Sequence, residues 1–496
     1  MCSLAPQQPK NICVLRNEQI NVSVWHLVFS LAIYYYIISR ENNDNDDAAG
    51  GPKAVRCVST EELRKHSTAS DLWIAIGGKV YDVTRWLPSH PGGDLPLLSL
   101  AGSDATDAFL AYHPPSAFPL LPRFLVGRLS DPAVSPASAD YRRLCSQFSR
   151  LGLFRPSPLL PSLSLLAMLA LLLSAVLLVR LSPSPLAHLL SGALVGLLWI
   201  QSGWMGHDSG HYPILPSRGL NRLLQICSGN CVTGISIAWW KRNHNAHHIA
   251  CNSLDFDPDL QHLPLFAVSP RLFAPLFSVF YRRTMPFGAA ARLLVSYQHL
   301  TFYPVMCVAR VNLLAQSGIL LLSGRNVPNR LQEIAGVAVF WVWYPLLVSC
   351  LPDWRERAAF VLASFAVTGI QHVQFCLNHF SSEVFVGPPA GNDWFERQTM
   401  ASLDISCPPW MDWFHGGLQF QVEHHLFPRI PRCRLRKIAP FVRDLCKKHN
   451  LPYATASFWE ANAMTIRTLR AAAMQARNAK NAAPKNLLWE ALNTHG

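Results

Sequence analysis

Charge is what this sequence has too little of. Only 15% of its 496 residues are Asp, Glu, Lys or Arg, where an ordinary soluble domain carries about 25%. With half of its residues hydrophobic, such a chain is not built to meet water all round, and an ordinary soluble enzyme is excluded. Paired cysteine spacing is also missing. The thirteen cysteines are odd in number and scattered, without a C-x-x-C, and Cys227 and Cys231 are the nearest local pair. That excludes a disulfide framework and suits reduced thiols in a cytosol-facing protein. No stretch interleaves basic and aromatic residues like a nucleic-acid module, so no nucleic-acid partner is expected. The net charge of +13 is instead read as loops facing anionic headgroups. A dinucleotide-binding glycine fingerprint is absent, as is a small-residue cleavage site that would mark a secretory signal.

What the chain does have is long apolar runs. Leu159 to Val179 carries no charge and is long enough to cross a bilayer, and Leu186 to Met205 follows after the short, Pro-rich Arg180 to Pro185. Ile334 to Leu351 and Ala358 to Leu377 form a second such pair around Asp353 to Arg357. These predict an all-α polytopic membrane domain of about four transmembrane helices plus interfacial helices. Phe302 to Leu322 is apolar but broken by Arg310, Asn312 and Gln316; it is expected to lie in the interface with those residues facing water. Arg218, Arg222, Lys241, Arg242, Arg282, Arg283, Arg429, Arg432, Arg434, Arg436 and Lys437 crowd the loops beside the histidine clusters described next. The positive-inside rule then puts those clusters in the cytosol.

Ahead of the membrane part, residues 56–130 predict a small α+β domain, with β-rich runs at Leu72 to Ile76 and Lys79 to Val83 around a Gly77-Gly78 turn. Residues 131–157 read as a linker, 158–450 as the membrane domain and 451–496 as a C-terminal tail. Residues 1–55 form an extension in which Val22 to Ser39 is apolar over a length that suits a short span; its flanking charges do not fix an orientation.

Histidine, with nineteen copies, is the informative residue. In Trp86-Leu-Pro-Ser-His90-Pro-Gly-Gly-Asp94, two glycines let the backbone turn sharply beside His90, and His113 follows in Ala111-Tyr-His-Pro114. The block from about 56 to 130 resembles cytochrome b5. That resemblance implies haem b, His90 and His113 as its axial ligands, and an electron-carrying rather than oxygen-activating iron.

Three further clusters share helical spacing: His207-Asp-Ser-Gly-His211, His244-Asn-Ala-His247-His248 and Gln421-Val-Glu-His424-His425. Residues at i, i+3 and i+4 lie on one helix face, so each cluster can offer several imidazoles to one site. Imidazole suits Fe, Zn, Cu and Ni, and spacing alone does not choose among them. After a b5-like block, the pattern H-D-x-x-H, H-x-x-H-H, Q-x-x-H-H resembles the front-end desaturases over residues 56 to 450. The resemblance implies that the seven clustered histidines, with His379 from Asn378-His379, bind two non-haem Fe ions. Gln421 stands where the related acyl-CoA desaturases have His, and it is grouped with the catalytic site. Asp208 and Glu423 are expected to orient imidazoles, and His372 to be a satisfied polar residue within the membrane.

Removing hydrogens from unactivated methylenes needs a strong oxidant, which reduced iron and O2 can generate. The resemblance also implies electrons from a separate NADH-cytochrome b5 reductase, and an endoplasmic reticulum membrane location with the haem domain and histidine clusters facing the cytosol. Gly234-Ile-Ser-Ile, Trp239-Trp240, Ile249 to His262, Asn392-Asp-Trp-Phe395 and Leu403 to Cys407 most resemble plant sphingolipid Δ8 desaturases. The implied lipid substrate is a ceramide or sphingoid base. Plant acyl-lipid Δ6 desaturases share much of this pattern and keep an acyl lipid open. A lipid hydroxylase on the same scaffold, or a non-enzymatic membrane haem electron-transfer protein, are the further alternatives. Trp239, Trp240, Trp410 and Trp413 are read as interfacial belt residues.

Overall fold

A computed structural model describes residues 56–215, 217–389 and 394–478. The extension 1–55 with its Val22 to Ser39 run, and Asn392 and Asp393, lie outside the described residues.

Five short strands make the N-terminal sheet: β1 (Cys57–Val58), β2 (Ser67–Thr68), β3 (Asp71–Ile76), β4 (Lys79–Asp82) and β5 (Leu125–Leu129), in the order β1-β5-β4-β3-β2. Gly77 and Gly78 turn β3 into β4 with φ of +58° and +72°, a region open to glycine at no steric cost. Short helices at Leu95–Ser99 and Thr106–Tyr112 close the domain. This is the α+β domain that the sequence predicts.

Four helices are long and apolar enough to cross a membrane: Leu159–Leu181, Pro185–His211, Arg330–Ser349 and Trp354–Leu377. All four coincide with the expected spans, and the protein is a multi-pass membrane protein. The second and fourth pack closely because Gly192 and Gly196 face the fourth: a Cβ on either would lie within 2.6 Å of the Phe360 or Ser364 carbonyl oxygen. Small residues at such positions replace the missing hydrophobic drive between helices in lipid.

The stretch expected in the interface is a helix pair, Gln298–Val308 and Arg310–Leu322, bent by 62°. Two of its three polar residues, Arg310 and Gln316, do not face water. Arg310 is 2% exposed and Gln316 is buried; the Arg310 guanidinium lies 3.8 Å from the centre of the Trp199 ring and donates to the Thr233 carbonyl. An arginine this deep is held by a π face and a carbonyl instead of a carboxylate.

Two boundaries differ from the sequence reading. The 131–157 stretch contains the helix Pro136–Arg150. Its Tyr141 and Phe148 share one core with Ile74 and Phe109 of the small domain and with Phe395, Val422 and Phe427 of the membrane domain. The prolines at 132 and 136 read as a linker; the buried face of the helix emerges only against its partners. Past residue 450, Ala454–Ser457 pairs in parallel with Leu403–Ser406, and the helix Phe458–Asn478 packs on residues 289–308. The chain from 451 to 478 is therefore built into the membrane domain.

Candidate functional site

His90 follows the turn Thr84–Ser89, and His113 directly follows the helix Thr106–Tyr112. Their rings lie 6.0 Å apart, centre to centre. A Cβ on Gly92 would sit 2.8 Å from His90 Cε1, so only glycine leaves the imidazole room. Each ring's Nδ1 contacts a backbone carbonyl, His90 to Gly93 at 2.7 Å and His113 to Phe109 at 3.2 Å. A carbonyl only accepts, so Nδ1 carries the hydrogen in both rings and each Nε2 keeps a free lone pair. Burial lowers both pKa values, His113 to about 4. Two neutral imidazoles with free Nε2 atoms fit an axial pair.

The three histidine clusters and His379 come together as two adjoining nests. In the first, the ligand atoms of His207, His211, His244 and His424 all lie within 4.8 Å of one another. The Nε2 of His207 is 3.2 Å from that of His424, and the Nε2 of His244 is 2.8 Å from that of His211. The second gathers His247, His379 and His425, with Cys251 beside them, within the same limit. His248 stands between: its Nε2 lies 2.9 Å from His244 Nε2 and 3.1 Å from His424 Nε2, while its ring stacks on His425 at 4.2 Å.

The outward nitrogens of the second nest show which way these rings face. His379 Nδ1 donates to the Ala401 carbonyl at 3.1 Å, and His247 Nδ1 pairs with Asp257 Oδ2 at 2.9 Å. His425 Nδ1 meets Gln398 Oε1 at 2.8 Å, and Gln398 Nε2 donates to the His248 carbonyl at 2.9 Å, which fixes the amide's orientation. The Nε2 atoms are thus left as converging lone pairs, the arrangement in which outer partners set the tautomer of metal-bound histidines. Burial, then neighbouring imidazoles, hold His244, His248, His424 and His425 well below their ordinary pKa. Burial, then His247, takes His379 to about 3. At His247 burial acts the same way, but Asp257 and Asp259 outweigh it and raise the value to about 9. Convergence of these imidazole nitrogens, whose ligand atoms lie within 4.8 Å of one another in each nest, fits two first-row metal ions.

Gln421 joins the second nest. Its Nε2 lies 2.9 Å from His379 Nε2 and 3.0 Å from His425 Nε2, and its Oε1 is buried without a hydrogen-bond partner. Cys251 is set back: its Sγ lies 3.5 Å from Nδ1 of His379, the outward nitrogen. Burial pushes its thiol well above the ordinary pKa.

Of the two carboxylates expected to orient imidazoles, Asp208 reaches one and Glu423 does not. Asp208 pairs with Arg432 at 3.1 Å and also meets His207 Nδ1 at 3.4 Å, a longer bond than those behind the second nest. Glu423 accepts from Tyr453 at 2.8 Å beside Asp404 and touches no imidazole. On its helix, Glu423 points away from the face that presents Gln421, His424 and His425. Asp257 and Gln398, which the sequence did not single out, hold the rings of His247 and His425. Asp257 is buried ten residues past His247, reached by a turn through Asn252 at positive φ, and Gln398 has no local signal at all. His372 donates from Nδ1 to the Met306 carbonyl at 3.0 Å, apart from both nests.

The tryptophans divide. Trp410 and Trp413 are 70% and 54% exposed, as belt residues are. Trp240 is not a belt residue: its ring stacks on His244 at 4.5 Å and packs edge-on against His207 and His211. Gly210 makes this possible, since a Cβ there would fall 2.3 Å from the indole.

Against known proteins, a family model described as fatty acid desaturase matches residues 183–457, and one described as cytochrome b5-like heme/steroid binding domain matches residues 59–130. A protein of Arabidopsis thaliana named Delta(8)-fatty-acid desaturase 2 is 59% identical, covering 89% of this chain and 98% of its own. An acyl-lipid (9-3)-desaturase of Borago officinalis is 56% identical, covering 88% of this chain and 98% of its own. A Delta 8-(E)-sphingolipid desaturase of Emericella nidulans is 38% identical, covering 58% of this chain and 54% of its own.

Proposed function

Because the chain belongs to the fatty acid desaturase family, with a cytochrome b5-like domain fused ahead of the desaturase domain, we propose that it is a sphingolipid long-chain-base Δ8 desaturase. It is an oxidoreductase that uses haem and a di-iron centre. The observation that carries the Δ8 reading is the 59% identity to the Arabidopsis Delta(8) desaturase over nearly all of that protein.

We assign the haem to His90 and His113. One iron goes to His207, His211, His244 and His424, the other to His247, His379 and His425, with His248 between them. With O2, the iron pair supplies the oxidising power to remove two hydrogens from unactivated methylenes, while the haem passes on one electron at a time. The protein's own groups prepare this chemistry. Burial disfavours the charged form of His244, His248, His379, His424 and His425, Asp257 and Gln398 fix the rings of His247 and His425, and Trp240 covers the first nest with an apolar face. At Gln421, a half-turn of the amide exchanges Nε2 for the unpartnered Oε1 and presents an oxygen to the second nest.

The electron source is a separate NADH-cytochrome b5 reductase, and the location is the endoplasmic reticulum membrane, with haem and nests on the cytosolic side. The basic loops around the histidines support that side. The Borago acyl-lipid desaturase favours a second reading, desaturation of an acyl lipid, since its identity is close to that of the Δ8 relative. Expression in a yeast lacking both activities separates them. New Δ8-unsaturated long-chain bases are expected; new unsaturation confined to fatty acyl chains would replace the sphingoid reading with the acyl-lipid one.

A further inference from the structure

We propose that Tyr112 is the electron bridge between the haem pocket and the histidine nests, passing electrons from the side of His113 to the carbonyl of His248. Tyr112 is covalently next to His113. Its hydroxyl donates to the His248 carbonyl oxygen at 3.2 Å, and its ring meets the His248 ring edge-on at 6.1 Å. The same carbonyl accepts from Gln398 Nε2, whose Oε1 holds His425. One hydrogen-bonded carbonyl thus connects the haem side to His248, which stands between the nests, and to His425 in the second.

The docking that brings Tyr112 there is specific. Arg429, just past the third histidine cluster, donates to the carbonyls of Ala111 and Leu110 at 3.0 and 3.2 Å. On the other haem loop, Asn245, inside the second cluster, donates to the Gly92 carbonyl at 3.0 Å. Arg242 and Arg282 both grip Asp94, at 3.3 and 2.7 Å. Leu95 packs with Ala246 and Phe280 beneath them. The edges of the small domain that flank His90 and His113 are therefore pressed onto the two helices carrying the second and third clusters. Tyr112 is the side chain there that joins a haem ligand's neighbour to a nest histidine.

The step moves electrons only. Ferrous haem becomes ferric as a ferric non-haem iron becomes ferrous, once for each of two electrons, and an external NADH-dependent reductase restores the haem. No bond forms or breaks, and the Tyr112 proton stays in its hydrogen bond to the His248 carbonyl.

The inference rests on the ligand assignment above, and the test separates the two. Full-length holoenzyme in lipid nanodiscs, reduced anaerobically at the haem with less than one electron equivalent, is followed by stopped-flow absorbance as the haem reoxidises. In the parent protein this reoxidation requires non-haem iron; if His424→Ala protein keeps its full non-haem iron and reoxidises like the parent, the assignment fails. With the assignment intact, Tyr112→Phe slows haem reoxidation by about tenfold and Tyr112→Leu by more, with haem spectrum and iron content unchanged. Parent-like reoxidation in Tyr112→Phe overturns the bridge, whatever happens to product yield. So does slowing in Asn245→Leu without slowing in Tyr112→Phe, which would place the exit on the His90 side. If Tyr112→Leu loses haem or iron, the Phe variant, which keeps the ring, decides.

Discussion

The two nests use the same imidazole donors but are supported differently. In the second, every ring is tied from behind: His247 by Asp257 at 2.9 Å, His425 by Gln398 at 2.8 Å and His379 by the Ala401 carbonyl at 3.1 Å. In the first, the one nearby carboxylate, Asp208, is engaged by Arg432 and stands 3.4 Å from His207. There the rings are steadied by packing: Trp240 stacks on His244 and presses on His207 and His211. The difference teaches that one nest is set mainly by short hydrogen bonds, which orient a tautomer, and the other mainly by shape, with the longer Asp208 contact at His207 alone.

Removing a donor from either nest should have the largest effect. His424→Ala and His247→Ala are expected to abolish detectable product and to lower non-haem iron per haem, measured by metal analysis of purified protein; full iron with product formed would break the assignment of both nests. Gly210→Ala comes next. Its Cβ would overlap the Trp240 indole at 2.3 Å, and a displacement near 1 Å in the first nest costs about a hundredfold in rate. Loss of activity with Asp257 contacts intact would show that shape governs this nest. Asp257→Asn should weaken iron binding by about ten- to a hundredfold, read by chelator competition, whereas Asp208→Asn should change it much less. Equal losses would erase the contrast. Smallest is Tyr141→Phe, which removes a 2.7 Å hydrogen bond to the Leu426 carbonyl behind the third cluster. It should cost about 1 kcal/mol, seen in thermal denaturation, with iron content unchanged.

Much of this was legible along the chain. The four spans are single apolar runs, and each histidine cluster is a local helical pattern, so neither needs knowledge of the fold. His90 and His113 belong to one small domain, and Gly92, which leaves the His90 imidazole room, lies two residues away. The parts that were not legible depend on distant segments. Asp257 and Glu423 are both acidic and near histidines, and only the turn through Asn252 aims the first at a ring while the helix face aims the second at Tyr453. Gln398 and Tyr453 carry no local pattern that marks them. Arg310 interrupts an apolar run and reads as a water-facing residue, because a sequence does not reveal that Trp199, more than a hundred positions earlier, offers it a π face.

By itself, then, the sequence determined composition-driven and short-range features: membrane insertion, the haem-type motif and the residue types gathered for metal. Tertiary structure decided which imidazoles share a nest, what stands behind each ring and that Tyr112 reaches His248. The physical reason is range. Hydropathy and helical spacing act over one to six turns, whereas a ligand's orientation and a hydrogen bond between domains are set by side chains that meet only after the chain has packed.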